Sequence, residues 1–214
     1  WGVARADATD IISGVHYTKC DITNPSDSET VCREMTDAVY IPDAVILNAA
    51  IIKDDLNGTF IDVQALRQTF ELNCLGNISL VNFFLPGIIR KSEGGLFINI
   101  SSVSSFMPVV RKKISYPASK AALDTIFEAL RINIGNRKLR FMTVNMGPMG
   151  EQRNIPFISR TYMEAARKIV DIAENPGRRG AISYPLFAGL LYRLFRLLPD
   201  SLIRKIIRFD YDVE

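Results

Sequence analysis

Residues 94–102 read GGLFINISS. Leu96 to Ile100 form an almost unbroken apolar run, opened by two glycines and stopped by two serines. A strand with one face in water alternates apolar and polar residues, so an unbroken run marks a strand buried on both faces. Outward from it the same pattern recurs in DAVILNAA (43–50), LRFMTVNMG (139–147), GVHYTKC (14–20) and GAISYP (180–185). Helical patterns lie between: Ser26 to Val39, Val63 to Arg90 with Pro86 near its end, a helix opening at Tyr116, and Tyr162 to Glu174. Strand–helix alternation with buried strands predicts an α/β fold, a doubly wound parallel sheet in three layers with helices on both faces. No internal repeat, low-complexity stretch or linker interrupts it. Residues 1–185 are read as one domain, and 186–214 as an amphipathic helical tail packed on that same domain.

Composition narrows the function. A chain 48% hydrophobic and 23% charged, with formal net charge +3, suits one globular core and is too weakly basic to argue for nucleic acid. Cys20, Cys32 and Cys74 are odd in number and scattered, as expected of reduced thiols in a cytoplasmic protein. His16 has no ligand-type residue at metal spacing, so it reads as a strand residue and no metal site is expected.

The ends of the strands carry the functional signal. They read CDIT, LNAA, NISS and NMGPMG, small or polar where the apolar runs stop, and in parallel sheets ligands bind beyond the carboxyl ends of the strands. After NISS comes ISYPASKAALDTIFEAL (114–130), an amphipathic helix with Ser115 as its expected cap and Pro117 in its first turn. Tyr116 and Lys120 stand one turn apart on one face. A phenol ionises near pH ~10, and a neighbouring ammonium lowers that value by favouring the anion. The pair alone is also what a solvated amphipathic helix shows. Ser102 closes the preceding strand where its hydroxyl can meet the phenol over a substrate oxygen, and Asn73 sits in the helix alongside.

Taken in order and spacing, NAA at Asn48–Ala50, Asn73, NISS ending at Ser102, YPASK at Tyr116–Lys120 and VNMGP near Val144 resemble the short-chain dehydrogenase/reductase family. The resemblance spans about Arg5 to Pro185. It implies a Rossmann-type fold and hydride transfer between NAD(P)H and a carbonyl or alcohol. Tyr116 would be the general acid/base, Ser102 the holder of the substrate oxygen, and Lys120 the group that lowers the phenol's pKa and binds the nicotinamide ribose. Asn73 would hold a water leading from Lys120 to solvent. Cofactor contacts are implied for Arg5, Asp21, Ile22, Asn48, Ala49, Ala50, Tyr116, Lys120, Gly147, Pro148 and Met149. Arg5 favours NADP(H) over NAD(H), because a basic residue there accommodates a 2′-phosphate, although Asp7 is close by.

The sequence also departs from the family. Its glycine-rich phosphate loop is absent, so the sheet is expected to lack its first strand–helix unit and the chain, a fragment on this reading, to bind cofactor poorly as it stands. Met146 and Glu151 stand where the family usually has proline and often threonine, which puts the carboxamide contact in doubt. Homodimers or homotetramers, paired through the helices starting near Val63 and Tyr116, are expected by analogy. Two other functions stay open: a non-catalytic binding or regulatory protein on the same fold, and a nucleotide-sugar epimerase or dehydratase. The segment after Pro148 is short for the substrate domain of the latter.

Residues 185–209, PLFAGLLYRLFRLLPDSLIRKIIRF, combine a stripe of leucines with Arg193, Arg196, Arg204, Lys205 and Arg208. Pro199 splits the segment into two helices, each too short to span a bilayer. One reading is a peripheral membrane contact; the other is a cover for the substrate pocket or a subunit interface. Phe157, Ile158, Tyr162 and Met163 are expected to form a lid over a hydrophobic small-molecule substrate.

Overall fold

The computed structural model describes residues 1–5, 12–108, 112–136, 138–152, 155 and 157–208. Its centre is a four-stranded parallel sheet in the order β10 (Gly180–Tyr184), β7 (Leu139–Met146), β6 (Gly95–Ser102), β3 (Ala44–Leu47). Both faces are covered. Phe97, Phe141 and Leu139 pack with Val45 and Leu47 against α3 (Asn77–Arg90) and α4 (Ser115–Asn133), through Val81, Ile88, Leu123 and Phe127. The residues of opposite parity, Leu96, Ile98, Ile100, Met142 and Val144, face α5 (Tyr162–Glu174) through Ala165 and Ile172. Two-residue periodicity therefore assigns every core residue of β6 and β7 to one helix layer or the other. The three layers are those predicted.

Helix boundaries follow local chemistry. Asn24 caps α1 (Pro25–Asp37), with Pro25 in the first turn where its missing N–H costs nothing. Asp62 caps α2 (Val63–Phe70), accepting from Ala65 N at 2.9 Å. Thr161 and Glu164 form a reciprocal capping box at α5. The long helix read over Val63 to Arg90 is continuous but not uniform: α2 passes into α3 through a π-turn, Glu71–Gly76. By length and composition alone this run could cross a bilayer; its Val81 and Ile88 lie in the core, as in the core helix of a globular protein.

At the other end of the molecule β1 (Gly2–Ala4) pairs in parallel with β2 (Tyr17–Lys19) only. Cys20, Ile22, Val31 and Met35 form a small core with Leu80 and Phe84 of α3, so α1 and α3 join this unit to the main one. Among the described residues the second edges of β1 and β3 are unpaired, and both strands border one cavity of about 390 Å³. Among the described residues the main sheet and the β1–β2 pair are thus separate.

The tail forms α6 (Leu186–Phe195) and α7 (Asp200–Arg208), separated around Pro199 as read. α6 packs on β10, with Ala188 and Gly189 buried. Two short pairings complete the architecture: antiparallel β4 (Leu56–Asn57) with β5 (Phe60–Ile61), and parallel β8 (Met149–Gly150) with β9 (Arg160–Thr161).

Candidate active site

Ser102 ends β6, and its hydroxyl accepts from Ser104 N at 3.2 Å and Ser104 Oγ at 2.9 Å, folding the strand end into a 3₁₀ turn over Val103–Ser105. The Tyr116 phenol lies close enough to the same Ser102 hydroxyl for that hydroxyl to favour its ionised form. One turn along α4, Lys120 is 3% exposed and donates to the Ile100 carbonyl at 2.7 Å. The three side chains that the sequence singled out are therefore gathered at one carboxyl end of the sheet.

The start of α4 is set from outside the helix. The buried Asp55 carboxylate accepts from Ile114 N at 2.7 Å and Ser115 N at 2.8 Å, and Asp55 N donates to the Lys112 carbonyl at 2.8 Å. Ser115, the expected cap, is instead the first helical residue, with its hydroxyl buried and unpaired. A distant carboxylate outcompetes a local hydroxyl because a charged acceptor makes the stronger bond.

The electrostatics also differ from expectation. Burial pushes the Tyr116 phenol above its ordinary value of 10.0, with the Ser102 hydroxyl pulling the other way. Lys120 does not lower it here. Burial pulls the ammonium itself down to about 8, opposed by the charge of Asp124, and its hydrogen bond goes to backbone. Desolvation dominates both groups.

Asn73 is fully buried in the π-turn. Its Oδ1 accepts from Ile51 N at 2.7 Å, while Nδ2 donates to the Ile51 carbonyl at 2.9 Å and to Ser119 Oγ at 3.1 Å. Its amide clamps the segment after β3 to α4. Asn77, one turn on, donates to the Ala49 carbonyl at 3.1 Å. Asp55, Asn77 and Asp124 were not singled out from sequence. For Asn77 a signal existed, an asparagine one helical turn after Asn73 and so on the same face of the helix.

Arg5, Ile22, Asn48, Ala49 and Ala50 all line the cavity between β1 and β3. Asp21 is turned to its own backbone, accepting from Thr23 N at 3.0 Å and Thr23 Oγ1 at 2.7 Å; these bonds hold its carboxyl below the usual range. Asp7 lies outside the described residues. Gly147 follows β7 and donates to the Tyr184 carbonyl at 2.9 Å, and a Cβ there would press on the Ile158 carbonyl, Pro185 and Ala188. The Pro148 carbonyl accepts from Arg160 N at 3.0 Å and Met149 pairs with Arg160, so β9 and α6 close this corner. Met146 is buried and Glu151 exposed. Phe157, Tyr162 and Met163 are exposed beside it, with Ile158 half-buried.

A dinucleotide fits this layout at its two ends. Small residues at Ala49 and Ala50 leave backbone room in the β1–β3 cavity, and Tyr116 and Lys120 stand at the opposite end. Among the described residues no glycine-rich strand-to-helix turn lies between them to receive a pyrophosphate.

A family model described as short chain dehydrogenase matches residues 4–156. The chain belongs to the short-chain dehydrogenase family. This short-chain dehydrogenase is 29% identical over 182 residues to an uncharacterized oxidoreductase of Mycobacterium tuberculosis, covering 82% of this chain and 53% of that protein. It is 28% identical over 203 residues to a fatty acyl-CoA reductase of Acinetobacter baylyi, covering 85% and 68%. The chain spans about half the length of the first of these relatives. A solved 4-hydroxyisoleucine dehydrogenase complexed with NADH and succinate superposes with TM-score 0.69 at 15% identity, over 78% of this chain and 76% of that one. At that identity the likeness is one of fold, a Rossmann-type dehydrogenase sheet.

Proposed function

We propose that this short-chain dehydrogenase interconverts a carbonyl and an alcohol with a nicotinamide cofactor, NADP(H) in preference to NAD(H), on a hydrophobic small molecule. The observation that supports it most is the gathering of Ser102, Tyr116 and the buried Lys120 at one carboxyl end of the sheet. When bound, the nicotinamide supplies the hydride. Ser102 Oγ orients the substrate oxygen. Tyr116, kept protonated by its burial, donates its proton to that oxygen during reduction, and as phenolate takes the proton back from an alcohol in reverse. Lys120, one turn along α4, would hold the nicotinamide ribose when cofactor is bound. In the β1–β3 cavity, Arg5 is the group that would meet a ribose 2′-phosphate, with Asn48–Ala50 against the adenosine.

A hydrophobic substrate is favoured by the exposed Phe157, Met163, Leu186 and Phe187 near the β7 corner, and by the likeness to a fatty acyl-CoA reductase. For the tail we favour peripheral contact with an anionic membrane: Leu186, Leu190, Leu194 and Leu197 are exposed on one side of α6 and its extension, with Arg204 and Lys205 exposed on α7. Pairing of two copies through α2, the π-turn and α4 would cover the exposed Val63, Leu75 and Ile132. Three free thiols, two of them buried, accord with a reducing cytoplasm.

Fluorescence titration with NADPH and NADH, followed by turnover of Tyr116→Phe, tests the reading. We expect tighter NADPH binding, and for the variant a loss of roughly 10²-fold or more in rate with nearly unchanged cofactor affinity. A variant that reduces carbonyls at the parent rate overturns the mechanism. Binding of neither cofactor, by this chain and by one that carries a glycine-rich phosphate loop, would favour the non-catalytic alternative.

A further inference from the structure

Asp124 stands one turn beyond Lys120, which stands one turn beyond Tyr116, so three polar groups form a column on one face of α4. The sheet meets that column with a graded surface. Toward α4, β6 presents Phe97, then Asn99, and β7 presents Phe141, then Asn145, apolar under the middle of the helix and amide-bearing toward the strand ends. Asn99 Nδ2 donates to Asp124 Oδ1 at 2.9 Å; Ser105 Oγ and Asn145 Nδ2 each donate to Oδ2 at 2.8 Å. The donors come from three different pieces of chain: β6, the turn that follows Ser102, and β7. One carboxylate thus ties to the Tyr116 helix both the strand ending in Ser102 and the turn that fixes it.

A packing role alone does not call for a charge. Buried carboxylates are costly, and apolar replacements of buried ionic groups are often neutral or stabilising. Lys120 supplies a reason. Among the described residues its ammonium has no carboxylate within ion-pair distance, and Asp124 is the charge that offsets its burial. The other groups facing Lys120 are Tyr116 from α4 and the Ile100 carbonyl from β6, while the sheet and the turn offer Asp124 only neutral amides and hydroxyls.

We propose that Asp124 is a positioning residue of the hydride-transfer site, keeping Lys120 as the ammonium and holding the Ser102 turn in register with Tyr116. This rests on the function proposed above.

The test is a pH titration of the ¹³C-lysine-labelled chain by NMR, with the Lys120 Cε resonance assigned by its loss in Lys120→Arg. Burial sets the Lys120 midpoint at about 8 in the parent. In Asp124→Asn, with circular dichroism unchanged, the midpoint should fall by on the order of one pH unit. An unmoved midpoint in the folded variant overturns the proposal, because a purely structural aspartate has no reason to be felt at Nζ. If the variant does not fold, the unmodified chain decides. Its Lys120 Cε signal should show a second, acid-side inflection at the pH where the Asp124 carboxyl, raised above 3.8 by burial, takes up its proton. Absence of that inflection overturns the proposal equally. Neither titration contains cofactor or substrate. A chain that turns over no carbonyl therefore sinks the functional reading while leaving the Lys120 result interpretable on its own.

Discussion

At the scale of single residues, Asp55 acts on backbone 59 and 60 positions away. Its carboxylate satisfies two N–H groups at the start of α4, and it is 1% exposed, so water cannot substitute. Asp55→Ala should cost about 3 kcal/mol by urea unfolding, and Asp55→Asn about half as much, since a neutral acceptor bonds more weakly. Turnover should fall in both variants, because Tyr116 lies in the helical turn that Asp55 anchors. Tyr116 and Lys120 are legible in the sequence because one helical turn separates them, and Ser102 because it closes an apolar run; Asp55 and Asp124 are not, because no spacing along the chain brings either to its partners.

Among the elements, the long ones were legible and the short ones were not. Unbroken apolar runs located β6 and β7 to within a residue, and α5 was read with its observed bounds. Two-residue pairings such as β4–β5 and β8–β9 have too little pattern to see. The π-turn Glu71–Gly76 leaves the apolar spacing of its helix almost unchanged, so the helix was read as uniform; such turns recur at functional sites, and this one carries Asn73. The seating of α6 on β10 depends on a close approach at Gly189, where an added Cβ would overlap the Ser183 side chain. Gly189→Ala should destabilise the chain by about 1–3 kcal/mol, as overpacking does. Ser183→Gly introduced beside it should recover part of the loss, and a double-mutant cycle by thermal unfolding measures that coupling.

For the whole molecule, buried thiols shape the response to alkali. Burial raises Cys20 and Cys74 above 9.0 and Cys32 to about 11. Unfolded thiols ionise near 9.0 while the native ones keep their protons, so this stability is complete below pH 9 and is lost as pH rises toward 11. Lys120 acts in the opposite sense. Between about 8 and 10.5 the unfolded chain holds a proton that the native chain has released, and stability rises. Three thiols, joined above pH 10 by the buried Tyr116 and Tyr192 phenols, outweigh one amine and predict a net fall in the urea midpoint above pH 9; replacing all three cysteines by alanine should turn that fall into a rise between pH 9 and 10. The separation of the β1–β2 pair from the main sheet has a consequence for handling the protein. Val45, Ile46 and Leu47 lie on a strand whose second edge, among the described residues, is open, with Ile46 48% exposed and no lysine or proline among them to discourage pairing. The edge is a template for recruiting extended segments from other molecules, so the isolated chain should scatter light increasingly with concentration. Ile46→Lys should raise the concentration at which this begins, marking that edge as the seed from which aggregates grow.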